Sequence, residues 1–94
     1  MGELPSIELL ENTHKFPGPY MFKAIGRVEN GFVARVVAAV RDELAVSADP
    51  PYKFREAVGG RHVSVTLEPT LQTVHQVLAV YRRIRKTDGL VMVM

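Results

Sequence analysis

Between Gly26 and Arg35 the chain reads GRVENGFVAR, and this is the stretch whose residue types could do chemistry. A glycine ends an apolar run, a charged link follows, and a second glycine, Gly31, opens an amphipathic segment. Backbone amides at such a helix start can bind an anion, and Arg35 could set a cation beside it. The competing reading is a bare connector between a strand and a helix, which needs no ligand. The three histidines, His14, His62 and His75, fall on separate segments without the spacing of metal ligands. His62 and Ser64 lie two apart in a strand-like run, which points them the same way about 7 Å apart. That is too far for the direct hydrogen bond between a nucleophile and its base. The chain has no cysteine, so thiolate metal centres and thiol catalysis are excluded.

The elements that must position these residues follow from periodicity. Residues 1–15 form an N-terminal extension with a short apolar cluster, Ile7, Leu9 and Leu10, and a helical turn or two capped by Ser6. FPGPY turns the chain into a first strand, YMFKAIG. Its alternation sets Tyr20, Phe22 and Ala24 against Met21, Lys23 and Ile25. Asn30 is the expected N-cap of a helix whose stripe is Val33, Val36, Val37, Val40 and Leu44. YKFREAV and RHVSVTLE flank Gly59 and Gly60, which read as a two-residue hairpin turn. Val63, Val65 and Leu67 face the core, with His62, Ser64, Thr66 and Glu68 opposite. A second helix, capped by Thr70, carries Val74, Val77, Leu78, Tyr81 and Ile84, and LVMVM closes the chain as a strand.

Strand, helix, strand, strand, helix, strand is the order of the ferredoxin-like split βαββαβ sandwich, an α+β fold. Its four-stranded antiparallel sheet carries both helices on one face. The expected domain is residues 16–94, and 94 residues with 47% hydrophobic content suit one compact core. Twelve cations against ten acids leave a net charge of only +2. The cations of YRRIRK are read as the last turn of a helix, where positive charge complements the macrodipole. The N-terminal residues lack a signal-peptide pattern, and no apolar run approaches the roughly 20 residues of a membrane span. The expectation is a soluble cytoplasmic protein with no membrane attachment.

GRVENGFVAR looks like the phosphate cradle of acylphosphatases, which share this fold and would make Arg35 the phosphate-binding cation. Two departures oppose it: the interval from Gly26 to Arg35 is one residue longer than in that family, and the strand asparagine that orients water there is missing. A broader resemblance covers about residues 8–94. Phe16, Pro17, Phe22, Lys23, Ile25 and Gly26, then Ser64, Val65 and Thr66, then Tyr81, resemble the YbeD-like family of small bacterial proteins of unassigned function. The hairpin REAVGGRHVSV departs from it, because members tend to have a serine- and glycine-containing turn before an aromatic residue.

That resemblance implies a fold similar to ACT regulatory domains, which bind amino acids or other small effectors between the first strand and first helix, usually as dimers. On this reading the chain is a non-enzymatic regulatory or interaction module without cofactor or metal. Its ligand residues are Glu29, Asn30, Gly31, Phe32 and Val33. Its partner is a small-molecule effector or another protein, and a weak homodimer is expected. Met21, Lys23, Ile25, His62, Met92 and Val93 are the expected interface, an apolar outer sheet face or the edge of the last strand. RNA binding is the alternative, but Met21, Lys23, Ile25, His62, Ser64 and Thr66 offer no aromatic platform for stacked bases.

Overall fold

The computed structural model describes residues 4–94, and the first three residues of the expected N-terminal extension lie outside them. In chain order the elements are α1 (Ile7–Thr13), β1 (Gly18–Pro19), β2 (Phe22–Arg27), α2 (Phe32–Leu44), β3 (Tyr52–Glu56), β4 (His62–Leu67), β5 (Thr70–Leu71), α3 (Val74–Arg85) and β6 (Leu90–Val93). The architecture is α+β, with three helices and two antiparallel sheets. One sheet has four strands in the order β3-β4-β2-β6, and the other is the short pair β1-β5.

Period-two patterning sorts the two central strands. Phe22, Ala24, Val63, Val65 and Leu67 are buried under the helices, whereas Lys23 and His62 are exposed on the opposite face. The register Ala24↔Val65 and Ile25↔Ser64 keeps like with like across the β2–β4 pair. From α2 come Phe32, Val36, Val37 and Val40; from α3 come Val74, Val77, Val80, Tyr81 and Ile84. All join one cluster with the sheet. Helix α1 begins where Ser6 Oγ accepts the Leu9 amide at 3.1 Å. Of its apolar residues only Leu10 reaches the core; Ile7 and Leu9 stay exposed. Full burial of one leucine contributes about 2 kcal/mol, which is what ties this short helix to the rest.

Four local expectations are corrected. Asn30 does not cap α2: it has φ 54°, and the N-cap is Gly31 at φ 67°, ψ 39°, with no side-chain hydrogen bond to the helix start. Thr70 does not cap α3 either. It pairs with Pro19 while Leu71 pairs with Gly18, and the helix starts after Thr73, whose Oγ1 accepts the Gln76 amide. Burying Leu71 completely outweighs an earlier helical turn. The hairpin between β3 and β4 is longer than two residues: Ala57 donates to the His62 carbonyl at 2.8 Å, and Gly59 and Gly60 lie inside the loop at positive φ. In β6, the pairs Val93↔Ala24 and Met92↔Ile25 are followed by Leu90↔Gly26, so Val91 is an extra residue at an irregularity. Val93 and Leu90 therefore lean on the core, and Met92 shares the outer face with Ile25.

Candidate functional site

Strand β2 ends in the turn that delivers the chain to α2. Gly26 is buried there because the ring of Phe32 fills the space a side chain would need. Arg27 Nε and Glu29 Oε1 lie 2.9 Å apart in an exposed ion pair. Asn30 and Gly31 both take left-handed conformations, which reverses the chain in two residues. The first helical bond runs from the Arg35 amide to the Gly31 carbonyl at 2.9 Å. The amides of Phe32, Val33 and Ala34 therefore precede the helical ladder.

Arg35 is a clamp. Its Nε donates to the Asn30 carbonyl and its Nη1 to the Asp88 carbonyl, each at 2.8 Å. It ties the turn before α2 to the turn before β6, a role that sequence reading missed because Asp88 is 53 positions away. Two of the guanidinium's donor groups are thereby committed to backbone carbonyls.

Beside this turn lies a cleft of about 440 Å³. Val28, Phe32, Val33, Ala34 and Val63 form its inner side, Tyr52 and Phe54 its outer wall, and Glu29, Gly31 and Glu56 complete the lining. Its origin is geometric. The pairs Tyr52↔Leu67 and Phe54↔Val65 turn both aromatic rings to the helix side of the sheet. Two helices do not reach across all four strands, so Tyr52 remains 45% and Phe54 58% exposed. Glu56, paired with Val63, stands at the end of the same row. It forms no ion pair among the described residues, whereas Glu29 is engaged by Arg27.

Of the expected ligand residues, Glu29, Gly31, Phe32 and Val33 meet at the cleft. Asn30 does not line it; its carbonyl accepts from Arg35. Tyr52, Phe54 and Glu56 are the additions. Their spacing of two was visible in YKFREAV, but nothing local revealed that the helices would leave that row uncovered. Of the expected interface residues, Lys23, Ile25, His62 and Met92 share the outer sheet face, with Met21 exposed beside Lys23 and Thr66. Val93 is the exception, because its pairing with Ala24 sends the side chain to the core.

Ionisable chemistry is sparse. His14 packs on Tyr20 with ring centroids 4.7 Å apart, and His62 and His75 are exposed on β4 and α3. Among the described residues no three His, Asp or Glu side chains converge as metal ligands. Among the described residues the one strongly displaced group is Tyr81: burial, reinforced by the 2.9 Å hydrogen bond with Tyr20, raises its hydroxyl well above the ordinary tyrosine range. It sits in the core, away from the cleft.

Fold and cleft together define a class: a small α+β module with helices on one face of an antiparallel sheet and an apolar cleft at the uncovered edge. The chain matches over residues 11–94 the family described as "Protein of unknown function (DUF493)", and it belongs to that family. This is the YbeD-like family that its strand and helix motifs resemble. No curated protein matches the chain. No helix among the described residues is long and apolar enough to cross a membrane.

Proposed function

We propose that the chain is a non-enzymatic ferredoxin-like module whose edge cleft binds a small zwitterionic effector, an amino acid with an apolar or aromatic side chain. The observation that carries this reading is the cleft itself, where three chemistries meet. Phe32, Tyr52 and Phe54 offer a surface for an apolar group, Glu56 a partner for an ammonium, and the first amides of α2 partners for a carboxylate. A simple anion suits the cleft less well, because Glu29 and Glu56 both stand in its lining. The strand and helix order supports the ferredoxin-like reading, and with it the comparison to ACT domains.

Thermal unfolding with a panel of free amino acids tests the proposal. A true effector at about 100 times its dissociation constant adds near 2.7 kcal/mol of stability. Its decarboxylated and deaminated analogues should add much less. Phe54→Ala and Glu56→Gln should weaken binding while leaving the fold intact, since both side chains are exposed. No stabilisation by any amino acid would reject the effector. A protein segment laid over Tyr52 and Phe54 would then be the better reading, because that apolar row lies on an edge strand.

A further inference from the structure

The face of the sheet away from the helices carries cations beside its apolar residues Met21, Ile25 and Met92. Registered pairing builds two ranks across it. Lys53, Thr66 and Lys23 stand side by side on β3, β4 and β2, and Arg55, Ser64 and Ile25 form the next rank. Side chains two apart on one strand are separated by about 7 Å, so the three long cationic stems can converge over the two hydroxyls. They bound, with Met21 and the Phe54 position of the edge strand, a hollow of about 430 Å³. Among the described residues the ion pairs are Arg27 with Glu29, and Arg41 with Asp42 and Asp49; Lys23, Lys53 and Arg55 take part in none. A protein with nearly balanced charge has thus gathered three unpaired cations and two half-buried hydroxyls around one hollow with no acid in its lining.

We infer that this hollow is an anion site for the diphosphate group of a small molecule. Two linked phosphoryl groups bring roughly two to three negative charges, which three cations can match. Their oxygens can accept hydrogen bonds from the lysine, arginine, serine and threonine donors. The neighbouring hollows decide between a compact anion and a polyanion. One contains Glu68 beside Met21 and Lys53, and the other, beside His62 and Ile25, reaches the strand end at Glu56, whose side chain leaves for the helix side. A nucleic-acid strand running along the β-strands would meet the Glu68 carboxylate at one end, and the rings of Tyr52 and Phe54 are turned to the helix side, so this face offers no stacking platform. A compact diphosphate avoids that carboxylate. This site lies across the sheet from the helix-side cleft and does not depend on the amino-acid reading.

Titration with sodium pyrophosphate and with ADP, followed by amide chemical shifts at low salt, is the test. Saturable shifts are expected at residues 23, 53–55 and 64–66, weakening as salt screens the charges. Lys53→Gln with Arg55→Gln should lower affinity at least tenfold without changing the melting temperature, and Lys23→Gln alone should lower it severalfold. Arg82→Gln with Arg83→Gln, in the other basic cluster, should change nothing. Tighter binding of ADP assigns an organic ester, and tighter binding of pyrophosphate assigns the free anion. The inference is overturned if shifts are absent or lie elsewhere, if sulfate binds as tightly, or if a single-stranded oligonucleotide binds and pyrophosphate cannot displace it.

Discussion

The ring of Phe32, at the first position of α2, occupies the space in which a side chain on Gly26 would stand. This contact sets the depth at which the helix start seats on β2, and so shapes the wall of the cleft. Gly26 is needed for close approach, whereas Gly31, five residues on, is needed for its backbone conformation. Two glycines in one short stretch therefore serve different physical ends.

Gly26→Ala drives a methyl group into three carbons of a ring that is only 2% exposed. The ring cannot swing into solvent without losing its burial, so the expected loss is about 1–3 kcal/mol. Urea unfolding measures it. Gly26→Ala combined with Phe32→Leu should recover part of that loss, and an unchanged unfolding midpoint in the single variant would contradict the contact.

At Gly31 an added methyl group meets nothing within 4 Å, so only the positive φ opposes it. Gly31→Ala should cost about 1–2 kcal/mol, and Gly31→Asn less, because asparagine tolerates this region better. Equal stabilities for the two variants would show that the helix start has shifted. Gly31→Val, with its stiff side chain, combines strain and bulk and cannot report ligand binding alone.

Tyr81 makes stability sensitive to alkali. Below the ordinary tyrosine range, near pH 10, its hydroxyl is protonated in both folded and unfolded chains. Above that, the unfolded chain releases the proton while the buried hydroxyl keeps it, so stability falls as pH rises. Tyr81→Phe should flatten this fall above about pH 10. At pH 7 the variant should lose about 1–2 kcal/mol, because the buried Tyr20 hydroxyl is left without its partner. Parallel pH profiles for the two proteins would contradict the assignment.

Both edge strands are open, but they are defended differently. Lys53, Arg55 and Glu56 guard β3, whereas β6 carries no charged side chain from Leu90 to Val93. Self-association at high concentration is expected to use β6. Val91, half exposed at the strand irregularity, is the position to test, because Val93 packs on the core. Val91→Lys should reduce association in sedimentation equilibrium with stability changed by less than about 0.5 kcal/mol. Identical sedimentation of both proteins would exclude this edge.

Much of the architecture was legible in the chain itself, because it follows from local periodicity. Tyr20, Phe22 and Ala24 alternate with Met21 and Lys23, and Val74, Val77, Leu78, Tyr81 and Ile84 recur at helical spacing; burial follows both patterns. The short-range signals failed where a distant partner overrode them. Thr70 and Leu71 look like a helix start until Gly18 and Pro19 claim them as a strand. LVMVM alternates in either sense until Ile25 and Gly26 set its register.

The site divides along the same line. Its half from Glu29 to Val33 could be named from one turn, since a glycine before an amphipathic helix is a local feature. The half made by Tyr52, Phe54 and Glu56 depends on how far two helices extend over four strands, which is a matter of layer packing. The basic hollow of Lys23, Lys53 and Arg55 depends on two registers at once. The sequence by itself determined which residues were apolar, which were charged and how they repeat. Only the tertiary structure decided which apolar row was left uncovered and which charges became neighbours, because burial and Coulomb interaction act through distance in space, not along the chain.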